Sequence, residues 1–174
     1  MLGVNKGKVI LASHDSSWRS LFDEEKTLLN SLIGDQAEDI QHMGSTAING
    51  IQAKPIIDIL VGVTAMEDIK AFDEEKLREQ GYFRLKKVVL EGKVVFAKFS
   101  SLENLTKTHI LHVVEHNGGW WKAHTFFRDY LNEHPETANA YERHKQELAE
   151  RYPDNEKAYT DGKKMFVDQV LAKQ

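Results

Sequence analysis

Gly44 and Ser45 follow an apolar residue, Met43, and after twelve intervening residues an acid, Asp58, interrupts the nearly continuous apolar run Pro55–Val63. A Gly-Ser turn leaving a strand can present backbone N–H groups and a hydroxyl to phosphate oxygens. The trio Gly44-Ser45-Thr46 is also what an ordinary turn with a helix cap uses. A carboxylate in the middle of an apolar strand is costly unless a cation, a set of donors or solvent meets it. Asp58 therefore predicts either a bound ion or a protein cation, with Lys54 and Arg128 as candidates for the latter. His109 and His112 add imidazole chemistry. Three residues apart on a strand they face opposite ways, so they cannot both ligate one ion as neighbours. His112 lies between Ile110 and Val114, while His109 alternates with Leu111, Val113 and Glu115. The string His112-Val113-Val114-Glu115-His116 matches a zinc-protease spacing that works only on a helix. Its β-branched flanks and the Asn117-Gly118-Gly119 that follows exclude that chemistry here.

The elements that must position these residues follow from periodicity. Lys8–Ser13 reads as a short strand, and Asp15 offers an N-cap to a helix carrying Trp18, Leu21, Phe22, Leu28, Leu29, Leu32 and Ile33, stopped by Gly34. A strand near Glu38–Met43 leads into the Gly-Ser turn, and Pro55–Val63 reads as a central strand covered on both faces. Alternation puts Ile56, Asp58, Leu60 and Gly62 on one of those faces. Thr64 and Glu67 suggest a capping box for a helix ending before Gly81. Tyr82–Leu90 and Lys93–Phe99, separated by Glu91-Gly92, read as a hairpin, and Lys107–Glu115 as a further strand. From there the period is helical: Trp120–Glu133, a second helix opened by Pro135, and a third set off by Pro153. Arg128, Lys145 and Lys163 lie on these helices. Each can pair with phosphate, and each also suits a solvated face. Trp120 and Trp121 suit a stacked base or an apolar core.

The expected class is α+β, a mixed sheet with flanking helices and a helical C-terminal third. All 174 residues read as one domain, with the sheet in 1–117 and the helical part in 118–174. Net charge is −4 with mixed signs and no basic block, which argues against duplex nucleic acid as a partner. There is no cysteine, so disulfides, thiolate metal sites and a cysteine nucleophile are excluded. No apolar run approaches the ~18 residues of a membrane span, and no signal-peptide pattern opens the chain. The cytoplasm is the expected location.

The run HMGSTAINGIQAKPIIDILV resembles the GrpB family, which is assigned to the nucleotidyltransferase-fold superfamily of DNA polymerase β type. The resemblance continues in Thr108–Val113, in Phe127–Leu131 with His134-Pro135-Glu136, and in Tyr159–Phe166. It implies a nucleotidyltransferase-like sheet. It also implies a site in which two aspartates of one strand, with a third acid from a neighbour, hold the divalent metals that clamp a triphosphate. Gly44, Ser45 and Asp58 match that pattern, whereas Leu60 stands in the slot of the second aspartate. The candidate catalytic residues are then Asp58, His109 and His112. A metal would sit on Asp58 and His112, as Mg²⁺ or Mn²⁺, or as Zn²⁺ if histidine ligates it. His109, His112 or Glu115 would fill the third position. Gly44, Ser45, Thr46, Lys54, Arg128 and Lys163 are the candidate phosphate contacts. Two functions fit: a metal-dependent transfer of a nucleotidyl or phosphoryl group, or a catalytically silent module that binds a nucleotide or phosphorylated metabolite in the same cleft.

Overall fold

In the computed structural model, which describes residues 1–174, five strands form one mixed sheet. They are β1 (Ala37–Met43), β2 (Ile57–Val63), β3 (Tyr82–Arg84), β4 (Lys93–Ser101) and β5 (Thr106–Glu115), in the order β1-β2-β5-β4-β3. β2 and β5 are parallel and the other neighbours antiparallel. Burial explains the composition of β2: Ile57, Ile59, Leu60, Val61 and Val63 are all fully inaccessible, as a strand covered on both faces requires.

One face carries Ile57, Ile59, Val61, Val63, Leu111 and Val113. It packs beneath Trp18, Phe22, Leu29 and Ile33 of α1 (Ser17–Ile33) and Leu77 of α2 (Glu74–Glu79). The other face carries Asp58, Leu60, His112 and Val114 and lies towards α3 (Gly119–Glu133), α4 (Pro135–Arg151) and α5 (Glu156–Leu171). On that side Met43, Leu60, Val114 and Trp121 form one apolar cluster. Ile48 and Ile51, from the segment between β1 and β2, join Leu131, Ala138, Tyr141 and Val170 of the helices.

That connecting segment is tied to distant parts of the chain. Asn49 N–H donates to Asn132 Oδ1 (2.9 Å), Gln52 N–H to Glu142 Oε1 (2.6 Å), and Ala12 exchanges backbone bonds with Ala53. The amino-terminal stretch is a strap: Gly3 N–H reaches Pro55 O and Val9 N–H reaches Pro153 O, each at 2.9 Å.

Three expectations are corrected. Lys8–Ser13 is not a strand; it is extended chain with a single bridge at Ala12, and alternation does not distinguish a strap from a sheet member. The helix expected from Thr64 to Gln80 divides into a 3₁₀ turn, Met66–Ala71, and α2. The Thr64 hydroxyl donates to Glu38 Oε1 (2.5 Å) instead of capping. Asp68 accepts from Ala65 N–H (2.9 Å), and Asp73 caps α2 by accepting from Lys76 N–H (3.1 Å). Two side chains that compete for local N–H groups end one helix and start another. In the hairpin, β3 stops at Arg84, and Leu90 meets Lys93 by one isolated bridge. No helix is long and apolar enough to cross a membrane.

Candidate functional site

The turn at the end of β1 is shaped around Asp58. Met43 pairs with Asp58 across the β1–β2 ladder, and Gly44 adopts φ +72° and ψ −171°. A Cβ at Gly44 would stand 2.5 Å from Asp58 Oδ2, so only glycine lets the chain pass the carboxylate. Ser45–Ala47 form a 3₁₀ turn. Thr46 is buried, and its Oγ1 lies 2.8 Å from His42 Nε2, so this member of the trio serves the turn itself. The Ser45 hydroxyl instead lies against the Tyr141 phenol. Burial pushes that phenol up to about 12, with the Ser45 contact working the other way.

Asp58 remains 28% exposed at its side chain, and its Oδ1 accepts from His112 Nε2 at 3.2 Å. Leu60 and His112 are register partners, which puts His112 on the Asp58 face. Burial works to raise the Asp58 pKa. The His112 hydrogen bond and charge, with Lys54 and Lys163, outweigh it and hold the carboxyl below its usual value. His112 Nδ1 is buried without a partner.

Three lysines lie around this carboxylate and the adjoining turn. Lys54 Nζ is 3.3 Å from Glu156 Oε1, and Lys54 and Lys163 lie over the same Tyr159 ring at 5.5 and 4.7 Å. Burial lowers the pKa of Lys163, with Asp58 and Glu156 opposing. Lys145, on α4, is 1% exposed; its Nζ donates to Gln52 O (2.5 Å) and lies 4.8 Å from the centre of the Tyr141 ring. Burial, reinforced by Lys163, brings its pKa down to about 7. Neither Lys145 nor Lys163 has a carboxylate within 4.0 Å.

On the other side of His112, the imidazoles of His112 and His124 are 5.6 Å apart, and Lys93 Nζ is 2.7 Å from His124 Nε2. Lys93 also lies 3.9 Å from the centre of the Trp120 ring, and burial lowers its pKa to about 8.

The expected site is thus assembled in part. Gly44, Ser45, Asp58, His112, Lys54 and Lys163 come together. His109 does not: it lies on the opposite face of the sheet, its Nδ1 2.9 Å from Thr108 Oγ1 and its Nε2 3.7 Å from Glu25. Glu115 pairs with Val63 on that same opposite face and is exposed. Arg128 is turned away from Asp58 to the edge of β1, donating from Nη1 to Gln41 Oε1 (2.8 Å) and His42 O (2.9 Å), while its Nε donates to Asp129 Oδ1 (2.7 Å). Trp121 is core, and Trp120 is 39% exposed. Lys93, His124 and Tyr141 were missed by sequence reasoning. Lys93 shares strand parity with Val95, and His124 lies one helical turn after Trp120, which are the signals that point to them.

The residues present do not fit a two-metal cage. Leu60, in the slot of the second aspartate, is fully buried in the Trp121 cluster. No three His, Asp or Glu side chains converge as a metal-ligand set. Asp58 and His112 alone offer two donors, against the three protein ligands of a catalytic zinc centre.

The sheet, turn and strand acid define a nucleotidyltransferase-type fold. The solved structure of Cid1 poly(U) polymerase with Mg 3′-dATP bound superposes with a TM-score of 0.54 at 13% identity, over 87% of this chain and 49% of that one. The family description "GrpB protein" matches residues 8–173, and the chain belongs to the GrpB family. It is 59% identical to "Glutamate-rich protein GrpB" of Alkalihalophilus pseudofirmus over 171 residues, 98% of each protein. It also resembles the crystal structure of conserved protein GrpB from Enterococcus faecalis, with a TM-score of 0.84 at 29% identity over 94% of this chain and 96% of that one.

Proposed function

We propose that the protein binds a phosphorylated small molecule or nucleotide at the Gly44–Ser45 turn, with Lys54, Lys145 and Lys163 meeting the phosphate, as a binding module without metal-dependent transfer. The observation that carries this reading is Lys145. It is a buried amine that, when protonated, has three donors, one protein acceptor and no carboxylate within 4.0 Å. Burying such a group is costly, and an anion removes the cost. Asp58 accepts from His112, and its charge and those of Lys54 and Lys163 act on one another across the turn.

Calorimetric titration with pyrophosphate and ADP, in chelator, tests this. Binding is expected without metal and is weakened strongly by Lys145→Met or Lys163→Met. Binding that appears only with Mg²⁺ overturns it.

The lysine also predicts a pH dependence. In the folded protein Lys145 titrates near 7, below the ordinary 10.5, so between those values the unfolded chain holds more protons. Stability should rise with pH across that window, and less so in Lys145→Met. Sulfate, whose own charge is constant there, requires the protonated amine, so its affinity should fall as pH rises above about 7. Asp58→Asn removes one of the two carboxylate charges, with Glu156, that act on Lys54 and Lys163. It should destabilise by about 1–3 kcal/mol in anion-free buffer, and sulfate should recover more stability in this variant than in wild type. Urea melts with and without sulfate measure both.

A further inference from the structure

A second cleft lies away from Asp58. About 510 Å³ lies beyond the outer edge of β1, between the first turns of α1, the turn after β1, and Arg128 and Asn132 of α3. That volume is in the range of small-molecule sites. Its charges nearly cancel: Arg19, Lys26 and Arg128 stand against Asp15 and Asp23. A neutral polar ligand suits that balance better than a phosphate does.

Two groups in the wall have directional bonding capacity left over. Thr46 Oγ1 lies 2.8 Å from His42 Nε2 and has Ile56 O, at 3.5 Å, as its other neighbour; the tautomer that uses both has the hydroxyl pointing to Ile56 O and His42 Nε2–H donating to Thr46. His42 then carries its proton on Nε2, and Nδ1 is a bare acceptor with no protein partner, not sealed from solvent. Burial brings the His42 pKa down to about 4, which keeps the ring neutral. The ring is held in place by stacking on Phe22, 4.9 Å between centroids at 9°. Arg128 uses Nη1 and Nε on protein acceptors, and its second terminal nitrogen has none. The cleft therefore presents an acceptor and a donor on neighbouring fixed groups, with Phe22 and Ile40 as apolar wall.

We propose that this cleft is a second ligand site, taking a neutral planar cis-amide such as a lactam, cyclic urea or oxo-heterocycle. Its N–H donates to His42 Nδ1, and its carbonyl accepts from Arg128. The site is independent of the anion site at Lys145, from which β1 and its turn separate it. It adjoins that site through Thr46, whose neighbour Ser45 lies against Tyr141.

The test is a titration with uracil, followed by calorimetry and by the ¹⁵N resonance of His42 Nδ1 in the wild-type protein. Uracil is expected to bind and move that resonance in the direction of an accepted hydrogen bond. 1,3-Dimethyluracil, which has no N–H, should bind roughly fivefold to tenfold more weakly and leave the resonance in place. His42→Phe keeps the stacked ring and Arg128→Gln keeps a donor amide, and each should weaken uracil by a similar factor. Lys145→Met should leave uracil binding unchanged. Equal binding of the methylated probe, an unmoved nitrogen resonance, or loss of uracil binding in Lys145→Met overturns the proposal.

Discussion

Leu60→Asp is expected to lose at least about 4 kcal/mol of stability, and millimolar Mg²⁺ or Mn²⁺ should not restore it. Leu60 is fully buried against Met43, Val114 and Trp121, so the substitution removes a packed side chain and seals a charge in its place. It would also rebuild the two-carboxylate strand of a metal-dependent transferase. If the space beside Asp58 were a metal cleft, the new carboxylate would gain a ligand and metal would recover much of the loss. Urea melts in chelator and in metal distinguish the outcomes. Substantial recovery in metal would contradict the anion-site reading.

Gly44→Ala is the second large effect, about 3–4 kcal/mol. Two causes add. At φ +72° and ψ −171° a side chain is strained whatever surrounds it, and the new methyl would sit 2.5 Å from Asp58 Oδ2. Gly50→Ala separates them, because Gly50 has φ +78° with nothing within 4 Å of its Cβ position. That variant should lose only the backbone part, about 1 kcal/mol. The difference in urea midpoints between the two measures how firmly Asp58 is held against the turn. Equal losses would mean that Asp58 moves aside freely.

The legible part of this site in the amino-acid sequence was the part written into β strands. Met43-Gly44-Ser45, the parity of Asp58 and Leu60, and the opposed faces of His109 and His112 follow from a period of two, and the structure keeps all of them. What parity does not specify is which face closes over the site, so His112 was separable from His109 only once the helices were placed. Lys145 was named as a cation, but on an amphipathic helix a lysine reads as solvated. Its burial depends on Gln52 and Tyr141, 93 and 4 residues away in the chain. Arg128 drew attention as a phosphate contact, yet its guanidinium fits the edge of β1. In the fold, the C-terminal helices were readable from Pro135 and Pro153. The strap at Lys8–Ser13 and the divided helix after Thr64 were not, because extended chain and competing caps leave the same local pattern as a strand and a helix.

The segment between β1 and β2 bears on the order in which the molecule can be built. Asn49 and Gln52 are held by side chains 83 and 90 residues further along, Lys145 closes on Gln52 across 93, and Lys54 meets Glu156 across 102. During synthesis the β1–β2 pairing can form as soon as both strands leave the ribosome. The segment that carries Ser45 and Lys54 has the Ala12 bridge and the Asn132 contacts of α3 before then, but its closure by Glu142, Lys145 and Glu156 waits until α4 and the start of α5 have followed. Long-range closures of this kind are slow, and they come after local contacts. Nascent chains arrested before residue 140 should therefore leave this segment open to proteases, and chains released beyond residue 160 should protect it.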